Sequence, residues 1–158
     1  MYYNGRDITS MPPSKRGQFI GYVFQQPDRQ MFRPTVATEV AFGPESLGRS
    51  KAEVKRIVDE VLARTGIGHL REAYPPTLRR GEKQRVAIAK AIYTNPSIIL
   101  ADEPTASLDT DNAMAVMKIL EHQTKQRNKT CIIVTHDERL TQFCDKVYHM
   151  QDGVLQEQ

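Results

Sequence analysis

The sequence predicts an α/β fold in which helices cover both faces of a parallel sheet. Segments 97–102 (SIILAD) and 130–136 (TCIIVTH) are short and almost uniformly apolar, as is typical of strands buried in a parallel sheet. Between them, residues 110–126 repeat apolar side chains at helical spacing, so a helix joins the two strands. The length of 158 residues favours a single domain, residues 1–158.

The first half of the chain begins with a predicted strand at 18–26 (QFIGYVFQQ), because β-branched and aromatic residues dominate it. A loop bounded by Pro27 and Pro34 follows it. Residues 51–65 place apolar side chains on one face of a predicted helix, and Gly66 can form its C-cap.

The second half continues the alternation of element types. Residues 73–81 are predicted to be a loop, because they contain two consecutive prolines. A helix is predicted at 82–93, and Asp109 has the side chain expected of an N-cap for the helix that follows it. Asp152 and Gly153 predict a hairpin turn near the end of the chain.

Composition excludes several classes of protein. Hydrophobic residues make up 39% and charged residues 26%, an ordinary balance for a soluble domain. A net charge of +3 does not predict nucleic-acid binding, and the apolar runs are far shorter than the roughly 18 residues that span a bilayer. Cys131 and Cys144 lack metal-ligand spacing and are predicted to be two buried free thiols in a reducing compartment.

Two adjacent carboxylates, Asp102 and Glu103, end the predicted strand 97–102, and Pro104 stops its hydrogen-bond ladder. Ligands of open parallel sheets lie beyond the carboxyl ends of the strands. Magnesium takes few protein carboxylates and completes its shell with water and phosphate oxygens, so Asp102 is a candidate to hold such an ion. Glu103 could polarise an attacking water. The alternative is a solvated acidic pair at a strand end.

Five motifs in order resemble the ATPase domain of ABC transporters. They are YVFQQ at 22–26 (Q-loop), LRRGEKQR at 78–85 (signature), IILADE at 98–103 (Walker B), ASLD at 106–109 (D-loop) and THD at 135–137 (switch histidine). The resemblance implies a P-loop NTPase-like sheet with an inserted helical subdomain, at approximately 35–90, that carries the signature. PDRQMF and TVATEVAFGPESLG are more narrowly similar to the ATPase subunits of energy-coupling-factor importers of vitamins and transition metal ions.

The resemblance implies roles for individual residues. Glu103 would be the general base, and His136 would contact the γ-phosphate and the attacking water. Asp102 would hold Mg²⁺ through water, and Gln25 would touch the metal or the water and link the site to the membrane subunit. The alternative for Gln25 is a plain polar residue at a strand end, since Gln26 beside it could be confused with it. Ser107 and Asp109, in the D-loop, would couple the two sites of a dimer. The other histidines are interpreted as structural: His69, His122 and His149.

Two departures from the family pattern stand out. The phosphate-binding motif G-x-x-x-x-G-K-[ST] does not occur, and the family carries it upstream of the matched region. The expectation is therefore a truncated ATPase domain that is inactive by itself. In the signature, Arg79 and Arg80 replace Ser and Gly, Glu82 replaces Gln, and Gly81 is kept. In the family this segment opens a helix that faces the partner subunit's ATP.

The basic residues of this helix leave two interpretations open. Arg79 and Arg80, at its phosphate-facing end, are expected to act in the site, since a helix N-terminus suits an anion. For Lys83 and Lys90, a solvated basic face is an equal alternative.

The resulting hypothesis is an ATP-binding and ATP-hydrolysing subunit of an ABC-type importer, with Mg²⁺ and ATP as cofactors. Its expected partners are a second ATPase subunit, identical or different, and a transmembrane subunit, with no nucleic acid. Its expected location is cytoplasmic, on the inner face of the cell membrane.

One alternative is an ATP-incompetent interaction module. Another is an ABC ATPase of DNA repair or translation, which usually carries long coiled-coil insertions, and no heptad run is present here.

Overall fold

The computed structural model of the chain describes residues 2–157. The strands are β1 (Tyr2–Tyr3), β2 (Arg6–Asp7), β3 (Ile20–Val23), β4 (Ile98–Asp102), β5 (Thr130–Val134), β6 (Tyr148–Gln151) and β7 (Val154–Glu157). The α-helices are α1 (Pro13–Arg16), α2 (Val36–Ser46), α3 (Lys51–Arg64), α4 (Arg80–Ile92) and α5 (Thr110–Lys125). Single 3₁₀ segments lie at Pro27–Gln30, Gly68–Leu70, Pro75–Thr77 and Glu138–Phe143.

A three-stranded parallel sheet organises the chain, in the order β3-β4-β5. Ile99 of β4 lies opposite Gly21 of β3 and Cys131 of β5. Helices α4 and α5 pack against the sheet, and they bury Val23 and Ile99 almost completely. The predicted α/β class with a parallel sheet is therefore confirmed.

The opposite face of the sheet is open within residues 2–157, so the prediction of helices on both faces is wrong for this part of the molecule. Side chains of β5 alternate, and Ile132 and Val134 keep 52% and 63% of their surface exposed. Across the sheet, Tyr22 and Leu100 lie in register with Ile132. Uniformly apolar strands indicated two buried faces, whereas only the face toward α4 and α5 is covered.

Helices α2, α3 and α4 all lie between β3 and β4. Capping boxes at Thr35 and Ser50 start α2 and α3. After α3, Gly66 adopts a positive φ of 69°, and the next N–H bonds back to the Leu62 carbonyl at 3.0 Å, which closes the helix as predicted. No separate helix was predicted at α2.

Further details of the chain differ from the sequence prediction. Helix α4 begins at Arg80, inside the predicted loop, and Pro75–Thr77 forms one 3₁₀ turn.

Cys131 is half-buried and Cys144 is exposed, so the two thiols are not both buried. Burial raises the pKa of the Cys131 thiol to about 12. The predicted hairpin is formed by β6 and β7. Along residues 2–157, no helix has the length and apolarity required to span a bilayer.

Candidate functional site

Glu103 lies immediately after β4, at the carboxyl edge of the sheet. Its backbone has a φ of 45°, in the left-handed region that non-glycine residues adopt rarely. Its N–H donates to the Val134 carbonyl at 2.9 Å, so the end of β5 holds this turn in place. The side chain is only 17% exposed. A strained backbone held by a neighbouring strand points the carboxylate toward the segment after β5.

The carboxylate of Glu103 bonds to both residues that follow β5. The His136 Nδ1–H donates to Oε1 at 2.7 Å, since a carboxylate can only accept, and the Thr135 hydroxyl donates to Oε2 at 3.3 Å. The hydrogen bond to Glu103 and its negative charge raise the pKa of His136 above its ordinary value of 6.5. The structure therefore brings together the predicted base and the predicted switch histidine.

This pair lines an open cleft of about 500 Å³. Ser107, with a φ of 62°, lines the same cleft, so one D-loop residue shares the space with the pair. Asp137 and Arg139 also line the cleft. The Arg139 guanidinium donates two charge-assisted hydrogen bonds, of 2.7 and 2.8 Å, to the Asp137 carboxylate. The hydrogen bond from Arg139 lowers the pKa of the Asp137 carboxyl.

Asp109, the other D-loop residue, is the N-cap of α5, as predicted. Its carboxylate accepts from the Asn112 N–H at 2.9 Å and from the Asn112 side-chain amide at 2.8 Å, and these hydrogen bonds lower its pKa. Gly81 packs against the same asparagine: a Cβ added at Gly81 would lie 2.5 Å from Asn112 Oδ1. The start of α4 and the D-loop candidate Asp109 are thus packed together through Asn112.

The signature residues open α4. Arg79 occupies the N-cap position, and both Arg79 and Arg80 are exposed. The Glu82 carboxylate turns back and accepts from the Arg79 N–H at 2.8 Å. A guanidinium offers no acceptor, so Arg79 cannot cap the first N–H groups of the helix as a serine would. Among residues 2–157, no hydrogen bond joins either arginine to Glu103 or His136.

Lys83 and Lys90 are not a solvated basic face. Lys83 pairs with Asp28 at 2.5 Å and is only 15% exposed. Lys90 pairs with the fully buried Glu39 and donates to the Gln30 carbonyl at 2.5 Å. Both lysines therefore tie α4 to the segment that follows β3.

Gln25 is exposed, two residues beyond the end of β3. A residue that the sequence analysis did not identify lies beside it: buried Gln84 of α4 donates to the Phe24 carbonyl at 3.5 Å. A polar residue among the apolar positions of α4 was the available signal. Gln84 connects the signature helix to the segment of Gln25.

Asp102 has the donor chemistry to hold a magnesium ion that is shared with phosphate. Asp102 is half-buried at the end of β4, on the same sheet edge as Glu103. No cluster of three or more histidine, cysteine or acidic side chains occurs in residues 2–157 that could enclose a metal. Magnesium at phosphate sites needs only one or two carboxylates, so the donor set is adequate.

A family model described as "ABC transporter" matches residues 1–106. The energy-coupling factor transporter ATP-binding protein EcfA of Methanocaldococcus jannaschii is 44% identical over 137 residues, which cover 86% of this chain and 49% of that protein. The putative hemin import ATP-binding protein HrtA of Staphylococcus haemolyticus is 36% identical over 157 residues, 98% of this chain and 71% of that protein. The chain spans about half the length of EcfA.

Two solved structures share the fold. One is cbiO1 from Clostridium perfringens, described as part of the ABC transporter complex cbiONQ; its TM-score is 0.89 at 36% identity, covering 98% of this chain and 62% of that one. The other is the dimeric ATP-binding cassette MJ0796 bound to ADP and Pi, with a TM-score of 0.82 at 28% identity, covering 99% and 72%. The fold is thus that of the P-loop NTPase-like ABC ATPases. By its matched residues and its fold, this chain belongs to the ABC transporter family.

Proposed function

We propose that this chain is part of an ATP-binding subunit of an ABC-type importer, which couples MgATP binding and hydrolysis to transport. The observation that carries the proposal is the Glu103–His136 pair, joined at 2.7 Å in a cleft at the carboxyl edge of a parallel sheet. The names of relatives such as EcfA and HrtA support transport and import as the process that the subunit serves.

Glu103 would act as the general base for the attacking water. Among the described residues, its Oε2 accepts a single hydrogen bond, from Thr135 at 3.3 Å, so it keeps acceptor capacity toward the cleft. His136 is hydrogen-bonded to Oε1 of Glu103, and its side chain is largely exposed. It would direct its other ring nitrogen to the γ-phosphate or the water. Phosphoryl transfer depends on positioning and charge stabilisation, and this pair supplies both. Asp102 would hold Mg²⁺ through water, and the bound ion would neutralise phosphate charge.

The remaining parts of the site would come from a dimer. The N-terminus of α4 would face ATP held by the second ATPase subunit, which a helix N-terminus suits. Ser107 and Asp109 would couple the two sites, because Ser107 lines the Glu103 cleft and Asp109 reaches Gly81 through Asn112. Gln25 would link the site to a transmembrane subunit. The location would be cytoplasmic, against the inner face of the membrane, without a nucleic-acid partner.

The isolated 158-residue chain is expected to hydrolyse no ATP above background, because its sequence has no G-x-x-x-x-G-K-[ST] loop to hold the phosphates. Single-turnover hydrolysis with purified chain tests this expectation. Hydrolysis that the Glu103→Gln change abolishes would show that the chain is active by itself.

The role of Glu103 is tested in a protein in which a phosphate-binding loop precedes the chain. Glu103→Gln should lower kcat by at least about 100-fold while ATP binding persists, since general-base catalysis contributes roughly 10²–10⁴. Glu138→Gln is the control, because Glu138 lines the same cleft and is exposed. Equal activity of Glu103→Gln and Glu138→Gln would contradict the assignment of the base.

A second candidate function is an ATP-incompetent interaction module, which the absence of the G-x-x-x-x-G-K-[ST] motif from the sequence favours.

The altered signature is a separate matter, and we expect it to serve a weak ATPase site of the dimer. Arg80 stands where the family has a glycine, and a side chain there hinders close approach of the backbone to a phosphate. In a dimer whose opposite site is disabled, the double change Arg79→Ser, Arg80→Gly should raise the steady-state ATPase rate. Loss of most activity would instead identify the arginines as groups that stabilise transition-state charge.

A further inference from the structure

A second cavity, of about 450 Å³, lies where the strands of the sheet begin, whereas Glu103 lies where β4 ends. Gln18, Asn95 and Arg127, which precede β3, β4 and β5, line one side of it, and α3 lines the other. The five residues of β4 separate the two edges by about 15 Å, at roughly 3.3 Å per residue. This cavity is therefore distinct from the proposed ATPase site.

Arginines dominate the charge of this cavity. Its lining includes Arg49, Arg56, Arg64 and Arg127. Three of them surround a single carboxylate: Glu60 lies 3.9 Å from Arg56, 3.4 Å from Arg64 and 3.4 Å from Arg127. One carboxylate cannot neutralise three guanidinium groups.

Among the described residues of the lining, Glu53 is the only other acid, and it already has partners. It accepts hydrogen bonds from the Ser50 N–H at 3.0 Å and from the Ser50 hydroxyl at 2.8 Å, as part of the α3 capping box, and it lies 3.6 Å from Arg49. Four arginines against two glutamates leave an excess of two positive charges along the cavity wall.

Arg64 is the best enclosed of these arginines, with 9% of its side chain exposed. It donates to Gln123 and to Glu60, but its buried Nε–H has no hydrogen-bond partner among residues 2–157. Burial, and next the charge of Arg127, lower the pKa of Arg64. A buried guanidinium is unfavourable unless it is paired, and Arg64 shares its carboxylate partner Glu60 with Arg56 and Arg127.

We infer that this cavity binds a small multivalent phosphate anion of the diphosphate class, held by Arg56, Arg64 and Arg127. Guanidinium groups present paired donors that match phosphate oxygens, and a diphosphate carries enough charge to offset the two excess positive charges. Gln18 and Asn95, which also line the cavity, offer additional hydrogen-bond donors to a group attached to the diphosphate. The volume is within the range of small-ligand sites.

Calorimetric titration of inorganic pyrophosphate into the 158-residue chain, without Mg²⁺ and at low ionic strength, tests the inference. One pyrophosphate should bind per chain. Arg127→Gln and Arg56→Gln should each weaken binding about tenfold, as expected for loss of one charge-assisted hydrogen bond. Glu60→Gln should tighten it, because the competing carboxylate is removed. Arg56 is 72% exposed, so its variant keeps the fold.

Arg29→Gln is the matched control, because it removes the same charge from an exposed residue outside the cavity lining. Equal weakening by Arg29→Gln and Arg127→Gln would show general attraction to a basic chain and would overturn the inference. Absence of binding, or equal affinity for sulfate and pyrophosphate, would also overturn it. Loss of binding in Arg79→Ser, Arg80→Gly but not in Arg127→Gln would place the anion at the signature helix instead. None of these measurements depends on ATP hydrolysis.

Discussion

Glu103 combines a left-handed backbone, partial burial and a hydrogen bond to an exposed histidine. Left-handed backbone is unfavourable for a glutamate by roughly 1–2 kcal/mol, so the neighbouring strand must maintain it. Such strain is concentrated at functional sites, where it fixes the direction of a side chain. Here it directs the carboxylate toward His136.

The His136–Glu103 pair predicts a measurable pKa. Because the hydrogen bond and charge of Glu103 stabilise the imidazolium, His136 should titrate above 6.5 in an NMR titration, and Glu103→Gln should lower its pKa. The contribution of the pair to stability is therefore complete below the ordinary histidine pKa and is lost as pH rises through the raised one. Glu138→Gln is the matched control and should leave the His136 titration unchanged, because Glu138 is not among the groups that raise its pKa. An unaltered His136 titration in Glu103→Gln would contradict the pair.

Lys90 should contribute strongly to stability. Its partner Glu39 is fully buried and also accepts from the Phe32 and Arg33 N–H groups at 2.9 and 2.7 Å. Lys90→Met leaves that carboxylate without a cation, which should lower the free energy of unfolding by about 3–5 kcal/mol in urea denaturation. Lys118→Met, at an exposed position of α5, should change it by less than about 0.5 kcal/mol. Similar losses in both variants would contradict a special role for the buried pair.

Residues whose role follows from local chemistry were predictable from the sequence. Asp109 caps α5 because a side-chain oxygen three residues before an N–H is a local arrangement. Glu39 and Gln84 were not identified, because their partners are distant in the chain: Lys90 lies 51 positions after Glu39, and Phe24 lies 60 positions before Gln84. Only the packed fold brings such pairs together.

At the scale of elements, α2 shows how capping can override composition. Gly43 and Pro44 lie inside it, and both disfavour a helix interior. The Thr35 capping box starts the helix, and Val36 and Val40 bury its inner face. Tertiary burial of that face stabilises a helix that local propensity alone does not predict.

The contact between α4 and α5 predicts the effect of a methyl group at Gly81. Gly81→Ala would place a Cβ 2.5 Å from Asn112 Oδ1, and Asn112 cannot move without breaking its 2.8 Å hydrogen bond to Asp109. The change should lower stability in urea denaturation by about 1–3 kcal/mol, as overpacking does. Gly68→Ala is the matched control, since nothing lies within 4 Å of its added Cβ. Recovery of stability in Gly81→Ala, Asn112→Ala would confirm the cause, and equal effects of the two alanines would contradict it.

At the scale of the whole molecule, the described chain has one covered and one open face of its sheet. Parallel strands were predictable from their apolar runs, but the number of covered faces was not, because it depends on which elements pack against them. Tyr22, Ile132 and Val134 are each more than 40% exposed on the open face, and β5 lies at the edge of the sheet formed by the described residues. An apolar face beside a strand edge favours association between chains.

The isolated chain should therefore self-associate through this face at micromolar concentrations. The double change Ile132→Thr, Val134→Thr removes apolar surface and keeps β-branched residues that suit a strand, so it should shift sedimentation velocity toward monomer. The matched control is Val154→Thr, Leu155→Thr, because these residues of β7 are each 57% exposed and lie outside the open face. Urea denaturation should show that both variants remain folded. A wild-type chain that sediments as a monomer, or a β7 variant that dissociates equally well, would show that the open face does not drive association.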